Sequence, residues 1–235
     1  MPPTIHTVSQ SGVVSAVSAY MRQVYQWMTA GLGITAIVAY AVSSSHELQS
    51  LIFGNFIVMI LLIVAQFGLV ISLSAAIHKF SAQTATMMFL LYATITGLTL
   101  SSIFIIYPIG SIANAFLTTA GTFLVMSVYG TVTKRDLTAM GSFLFMGLIG
   151  IIIAMIVNIF IQSTMMDLII SCIGVIIFTG LTAYDTQKLR NFGSAAPLDD
   201  SVAIRRGAIL GALTLYLDFI NLFLMLLRFF GANRD

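Results

Sequence analysis

Two aspartates in long apolar stretches are the residues of this 235-residue chain best placed to do chemistry. Asp218 lies in the run LTLYLDFINLFLMLLRFF, which is otherwise rich in Leu and Phe. A carboxylate inside an apolar membrane helix costs several kcal/mol and usually marks an ion pathway or a proton relay. We therefore predict that Asp218 has a functional role, and that it needs a partner.

Asp185 is the best candidate for that partner, because the chain contains few other acids. It ends the sixth apolar segment, within FTGLTAYDTQKLR. An alternative interpretation is an ordinary residue at a helix end, paired with Lys188 or Arg190 near the membrane surface. The spacing of the residues does not choose between the two interpretations.

If Asp185 and Asp218 meet, their chemistry follows from their type. Two carboxyl groups at one site of low dielectric constant cannot both ionise freely, so the pair can share a proton. The doubly ionised pair repels itself and attracts a cation, and hard cations such as Ca²⁺ prefer carboxylate oxygens. The pair would then be a proton sensor and a Ca²⁺ site at once.

The composition shows which kind of protein must position these groups. Hydrophobic residues make up 59% of the chain and charged residues 8%, with a mean hydropathy of +1.03. A soluble protein carries about 25% charged residues, so the composition predicts an integral membrane protein. The net charge of +2 is too small to suggest a nucleic-acid partner, and the lone Cys172 excludes an internal disulfide.

Seven apolar segments are long enough to cross a membrane, which takes about 20 residues each. Such segments are expected to be helices, because every backbone polar group must be paired within the lipid. We predict an all-α fold with one transmembrane domain over residues 21–231, preceded by a cytoplasmic arm (1–20) and followed by a short tail (232–235). The segments are Val24–Val42, Leu51–Leu73, Ala82–Ile106, Ile112–Val132, Gly141–Ile161, Met166–Tyr184 and Gly207–Phe230.

Small and polar residues form a stripe on each of the last two segments. Gly207 and Gly211 have the G-x-x-x-G spacing that allows close helix packing. The stripe on the seventh segment continues through Thr214, Asp218, Asn221, Met225 and Arg228. On the sixth segment, Ser171, Gly174, Phe178, Thr182 and Asp185 share one face. These stripes predict that the two helices pack together.

Other polar residues give weaker signals. Gln66 and Asn158 lie in apolar spans and are interpreted as packing hydrogen bonds. His78, near the end of the second segment, is a weak candidate for a pH sensor. We predict no cofactor.

The distribution of Lys and Arg predicts the orientation. Eight of the ten basic residues fall on the side of the N-terminus, and Arg228 and Arg234 fall on the other side. Cytoplasmic loops carry the excess of positive charge, so the N-terminus is expected in the cytoplasm and the C-terminus outside. Reporter fusions at the C-terminus measure this directly. A cytoplasmic C-terminus would contradict the seven-span topology.

Several stretches resemble the transmembrane Bax inhibitor motif family, in particular its bacterial inner-membrane branch. The strongest are GLTAYDTQKLR and GALTLYLDFINLFLMLLRFFG, and MRQVYQWM, FLLYATITGLTLSSIF and YGTVTKRDL are also similar. The resemblance covers about residues 18–231, and the motif in the last helix is specific.

The resemblance implies seven helices with the last surrounded by the other six, and a pH-sensitive Ca²⁺ leak controlled by an aspartate dyad. The matching positions are Asp185 and Asp218. It also implies that Arg228 pairs with an acid in the second helix, where this chain has Gln66. A basic residue near the end of that helix would contact the dyad, where this chain has Ile77–His78.

Two classes of function remain open at this stage. The first is a Ca²⁺ or other cation leak gated by the dyad, with H⁺ as a regulatory ion. The second is a non-transporting interaction protein that modulates membrane protein quality control or stress survival, with a partner such as a quality-control protease. A retinal-type pump is disfavoured because Gly207–Phe230 contains no lysine for a Schiff base, and we do not expect an enzyme.

Overall fold

The computed structural model of the protein describes residues 10–195 and 201–231, and these residues are almost entirely helical. Seven helical segments in the described ranges are long and apolar enough to cross a membrane. This confirms the all-α membrane fold. The predicted arm is helical from Gln10 onward, and Tyr20 at its end is buried in the core. Residues 1–9 and the predicted tail, 232–235, lie outside the described residues.

The first third of the chain contains a short helix that the sequence analysis missed. Helix α1 (Gln10–Ser43) is followed by α2 (His46–Phe53) and then by α3 (Phe56–Ala76), which leads into a 3₁₀ turn, Ile77–Lys79. The starts of α2 and α3 each have a side-chain cap: Ser45 Oγ accepts from the backbone N–H of Leu48, and Asn55 Oδ1 from that of Ile57. Such caps satisfy N–H groups that the helix leaves unpaired, so the polar stretch from His46 to Ser50 is helix rather than loop.

The third and fourth spans follow the predicted boundaries closely. Helix α4 (Ala82–Leu100) continues through a turn into α5 (Ile103–Ile106), and α6 (Ile109–Val132) starts after Pro108. Pro108 lacks a backbone N–H and has its ring-fixed φ of −59°, so it suits a position just before the first helical turn.

The last three helices correct the sequence analysis at one important place. Helix α7 (Thr138–Ile161) ends at Gln162, and α8 (Thr164–Ala195) and α9 (Ser201–Phe230) follow. The sixth helix therefore does not end at Asp185, and much of the stretch between the predicted sixth and seventh segments is helix. Asp185 lies inside α8, about three turns before its end.

Helix α9 lies at the centre of the bundle, as predicted. In the most apolar stretch of α9, 67% of the residues are buried, whereas in that of the span containing α3 only 6% are buried. It packs along α1, α4, α6 and α8 and touches the 3₁₀ turn, whereas α7 packs mainly on α8 and α3 on α4. Tyr216 of α9 is fully buried and meets the rings of Phe89 and Tyr92 edge to face.

The outer faces of the helices are strongly apolar. Phe56, Phe67 and Phe160 are 78%, 66% and 83% exposed in the isolated chain. A soluble protein rarely leaves so much apolar surface uncovered, whereas lipid covers such surface at no cost. The exposed residues thus mark the lipid-facing side, and the polar residues are held inside.

Candidate functional site: the carboxyl pair between α8 and α9

The predicted stripes of α8 and α9 face each other in the structure. Gly174 of α8 receives the side chain of Met225, and a Cβ added at Gly174 would lie 2.7 Å from its Cγ and Sδ atoms. The other members of the α8 stripe are all buried: Ser171, Phe178, Thr182 and Asp185. The last two helices therefore pack together through these faces.

The carboxyl groups of Asp185 and Asp218 meet at this interface. Their side chains are 2% and 5% exposed, and the two carboxyl groups lie within hydrogen-bonding reach of each other. Among the residues that the structure describes, Asp185 Oδ1 and Asp218 Oδ2 have no hydrogen-bond partner. A hydrogen bond between two carboxyl groups needs one proton as its donor, so the geometry suits a pair that holds a single proton.

The nearest basic residue does not form an ion pair with this site. Lys188 lies one turn further along α8, is exposed, and places its Nζ 5.9 Å from the centre of the Tyr184 ring. Its positive charge acts on the Asp185 carboxyl through space, without a direct contact. The burial of Asp185 thus excludes the alternative of an ordinary surface residue at a helix end.

The site lacks the ligands for a complete metal centre. No group of three or more His, Cys, Asp or Glu side chains that could hold a metal ion occurs in the described part of the chain. Ca²⁺ takes six to eight oxygen ligands, of which Asp185 and Asp218 could supply at most four. The pair is better suited to attract a passing cation than to hold one permanently.

Gln66 does not contact Arg228, contrary to the expectation from the resemblance. Its Nε2 donates to the hydroxyls of Thr96 and Thr99 on α4, each at 3.2 Å. These bonds satisfy the amide within the α3–α4 pair, as the interpretation of a packing hydrogen bond predicted. Arg228 instead lines a cavity at the end of α9.

His78 does not stand beside the dyad either. It lies exposed in the 3₁₀ turn, and its backbone carbonyl accepts a 2.9 Å hydrogen bond from Arg206 Nη1. Arg206 also reaches the carbonyl of Phe80, at 3.3 Å. A basic residue of α9, Arg206, therefore contacts the end of the second span, and it donates to backbone carbonyls there.

Asn221 supports α9 itself and not the dyad. Its Nδ2 donates to the carbonyl of Leu217, one turn back along the helix, at 2.9 Å. The side chain is only half-buried, so a functional contact is not required to explain it.

Gly207 and Gly211 lie where other helices approach α9 closely. The carbonyl of Gly207 accepts a hydrogen bond from the Tyr20 hydroxyl at 3.1 Å. A Cβ at Gly211 would lie 2.8 Å from Leu189 Cδ2 and 3.2 Å from Val24 Cγ2. The two glycines thus allow α1 and the end of α8 to approach α9.

Gly211→Leu is expected to lower the free energy of unfolding by about 3 kcal/mol, because four extra carbons would enter a filled contact. Thermal stability of the purified variant in detergent measures the effect. The matched control is Gly33→Leu on α1, where an added Cβ meets nothing within 4 Å. Equal melting temperatures for the two variants would contradict the close packing at Gly211.

Gln187 is a positioning residue that the sequence analysis missed. Its Nε2 donates to the carbonyl of Arg135 at 2.8 Å, and its Oε1 accepts from the backbone N–H of Leu137 at 2.9 Å. These two bonds tie the α6–α7 connection to α8, two residues after Asp185. A sequence signal for this role was present. If the sixth helix is continued past Asp185, the Gln187 amide falls on a part of the helix that is buried.

A second polar junction lies on α9 at Tyr216, two residues before Asp218. The Thr35 hydroxyl is 2.7 Å from the Tyr216 hydroxyl and donates to the carbonyl of Ala93 at 2.9 Å. This buried network joins α1, α4 and α9. Because it links Tyr216 to two neighbouring helices, it opposes rotation of α9 about its axis.

Comparison with known proteins identifies relatives along nearly the whole chain. A family model described as "Inhibitor of apoptosis-promoting Bax1" matches residues 17–235. The chain is 54% identical over 220 residues to Inner membrane protein YbhL of Escherichia coli, covering 94% of each protein. It is 51% identical to a protein of Borreliella burgdorferi, covering 92% of this chain and 93% of the relative. For a protein of Deinococcus radiodurans the identity is 42%, with 97% and 96% covered.

Proposed function

The chain belongs to the Bax inhibitor family of membrane proteins, and from this premise we propose that it is a pH-sensitive cation leak for Ca²⁺, gated by Asp185 and Asp218. The observation that carries the proposal is the pair of buried carboxyl groups between the central helix and α8. Buried ionisable groups inside a membrane protein are costly and occur mainly on ion or proton pathways.

In the proposed closed state, one proton joins the two carboxyl groups. The protonated oxygen donates to the other carboxylate, and this bond holds α8 against α9. The extra proton also reduces the negative charge that attracts a cation. Low pH therefore favours the closed state.

In the proposed open state, the pair has lost that proton. Two carboxylates at this distance repel each other in a low-dielectric site, so α8 and α9 are pushed apart. The same charge favours a cation between the helices. Flux should consequently rise as the pH rises.

The setting of this activity is part of the proposal. The YbhL relative is named as an inner membrane protein, so we place this chain in a bacterial inner membrane. The excess of Lys and Arg on one side supports a cytoplasmic N-terminus and an outside C-terminus. We further propose that the protein is not an enzyme and works without a cofactor.

Ca²⁺ flux into proteoliposomes tests the proposal. Purified protein is reconstituted around a Ca²⁺-sensitive dye, and flux is recorded across a pH titration against protein-free liposomes. A leak that increases with pH is the expected result. Absence of flux at every pH would favour the alternative, a non-transporting interaction protein with a partner such as a membrane protease, which crosslinking in cells would then identify.

A further inference from the structure

A second polar region lies at the start of α8, far from the helix end at Ala195. A cavity of about 750 Å³ opens where α7 ends, α8 begins and α9 makes its last turn. Buried apolar residues, among them Phe178, Leu222 and Met225, separate it from the dyad. Its polar lining includes Asn158, Gln162, Thr164, Asp167, Ser171 and Arg228.

The acid of this cavity is held in place by Asn158. The Asn158 Nδ2 donates to Asp167 Oδ1 at 2.8 Å and to the carbonyl of Ser163 at 3.2 Å, while its Oδ1 accepts from the backbone N–H of Ser163. The turn between α7 and α8 is thereby fixed. Only Oδ1 of Asp167 is used in these contacts, so Oδ2 remains available to a ligand.

Two further groups of the cavity have unused hydrogen-bonding capacity. The Ser171 side chain is 1% exposed, and its hydroxyl has no partner among the described residues. Arg228 makes no hydrogen bond or ion pair within the described part of the chain, although Asp167 lines the same cavity. Burying a hydroxyl without a hydrogen-bond partner costs about 1–3 kcal/mol of stability. A polar ligand that bonds to this hydroxyl would therefore be favourable.

The remaining wall of the cavity is apolar and faces outward. It includes Met155, Ile159 and Leu168, of which Ile159 is 68% and Leu168 44% exposed. Three membrane-spanning helices have their ends here, which is the depth at which lipid headgroups meet acyl chains. The cavity thus joins a polar pocket to a lipid-facing apolar wall.

We propose that this cavity binds a phosphate–ammonium zwitterion, supplied by the headgroup of a phospholipid such as phosphatidylethanolamine. Arg228 holds the phosphate through its guanidinium fork, which matches phosphate geometry. Asp167 Oδ2 and the Ser171 hydroxyl accept from the ammonium group. The acyl chain lies along Ile159 and Leu168. The opposite charges of Asp167 and Arg228 in one cavity favour a zwitterion over a simple anion or cation.

Lipid binding to purified, delipidated protein tests this site without depending on cation flux. Native mass spectrometry in detergent gives the dissociation constants of phosphatidylethanolamine and phosphatidylglycerol, which share the phosphate and differ in the ammonium group. Free phosphoethanolamine, measured by competition, separates a lipid ligand from a soluble one. Tighter binding of phosphatidylethanolamine than of phosphatidylglycerol is expected.

The variants separate the two charges of the ligand. Asp167→Asn should weaken phosphatidylethanolamine about tenfold and leave phosphatidylglycerol unchanged, while Arg228→Gln should weaken both about tenfold, since each removes a charge-assisted bond. Asp136→Asn and Lys134→Gln, which change exposed charges outside the cavity, are the matched controls.

Three results would overturn the proposal: equal affinity for both lipids, no loss in Asp167→Asn, or the same loss in the control variants. If free phosphoethanolamine displaces the lipid at equal concentration, the cavity still binds a zwitterion, but its ligand is the soluble compound and not the lipid. Because the readout is binding, the site stands or falls independently of the proposed leak.

Discussion

Gly130→Ala is expected to lower the free energy of unfolding by about 3 kcal/mol, because the added methyl group would enter a filled contact with backbone. Gly130 is buried on α6, where that helix crosses α8. An added Cβ would overlap the carbonyl oxygen of Ala183 and lie 3.0 Å from its carbonyl carbon. Backbone cannot rotate away as a side chain can, so α6 and α8 would have to separate. Thermal unfolding of the purified variant in detergent measures the loss.

Gly121→Ala is the matched control on the same helix. An added Cβ at Gly121 meets nothing within 4 Å, and Ala is a better helix former than Gly by about 1 kcal/mol. This variant should be as stable as the parent protein or more stable. Equal melting temperatures for the Gly130→Ala and Gly121→Ala variants would show that α6 does not fix the position of α8 beside Asp185.

Asp218→Asn is expected to remove most of the pH dependence of Ca²⁺ flux, and Asp185→Asn should do the same. Each substitution leaves one titrating carboxyl group where there were two, so the flux ratio between the alkaline and acidic ends of a titration should fall toward about one. Asn keeps the size of the side chain and a hydrogen-bonding group, so packing of α8 on α9 is largely preserved. Flux into dye-loaded proteoliposomes measures the ratio.

Asp136→Asn controls for a general effect of removing an aspartate. Asp136 is exposed between α6 and α7, and hydrogen bonds from the Thr138 hydroxyl and then its backbone N–H hold the pKa of this carboxyl below its usual range. It therefore stays ionised at neutral and mildly acidic pH and does not titrate with the leak. An unchanged pH response in both dyad variants, or an equal change in Asp136→Asn, would contradict the assignment of the sensor.

The membrane-spanning fold was predictable because its signals are local and strong. Runs of about 20 apolar residues define a span almost irrespective of tertiary context. The facing stripes of α8 and α9 were also predictable, because small and polar residues such as Gly174 and Gly211 can only be useful where another helix is close.

The helix ends and side-chain partners were less predictable because they depend on context. Polarity near Asp185 indicated a helix end, yet packing of Leu189 and Phe192 against the α9 glycines extends α8 to Ala195. The Gln66–Arg228 contact that the family resemblance implied was wrong for a related reason. An amide in lipid binds whatever polar group is nearest, and the threonines of α4 lie closer than the end of α9.

The meeting of Asp185 and Asp218 falls between these cases. Sequence spacing placed both groups on the faces that pack together but left an ordinary surface position open for Asp185. Only the continuation of α8 beyond Asp185 buries that carboxyl group, and burial is what makes a shared proton physically reasonable.

A double-mutant cycle on pH-dependent Ca²⁺ flux tests the shared proton most directly. The cycle compares the parent protein with Asp185→Asn, Asp218→Asn and the double variant, all reconstituted at equal density. Because the two carboxyl groups act as one unit, the double variant should differ from either single variant by much less than the sum of their effects. Independent, additive changes from the two substitutions would show that Asp185 and Asp218 titrate separately and do not form the proposed gate.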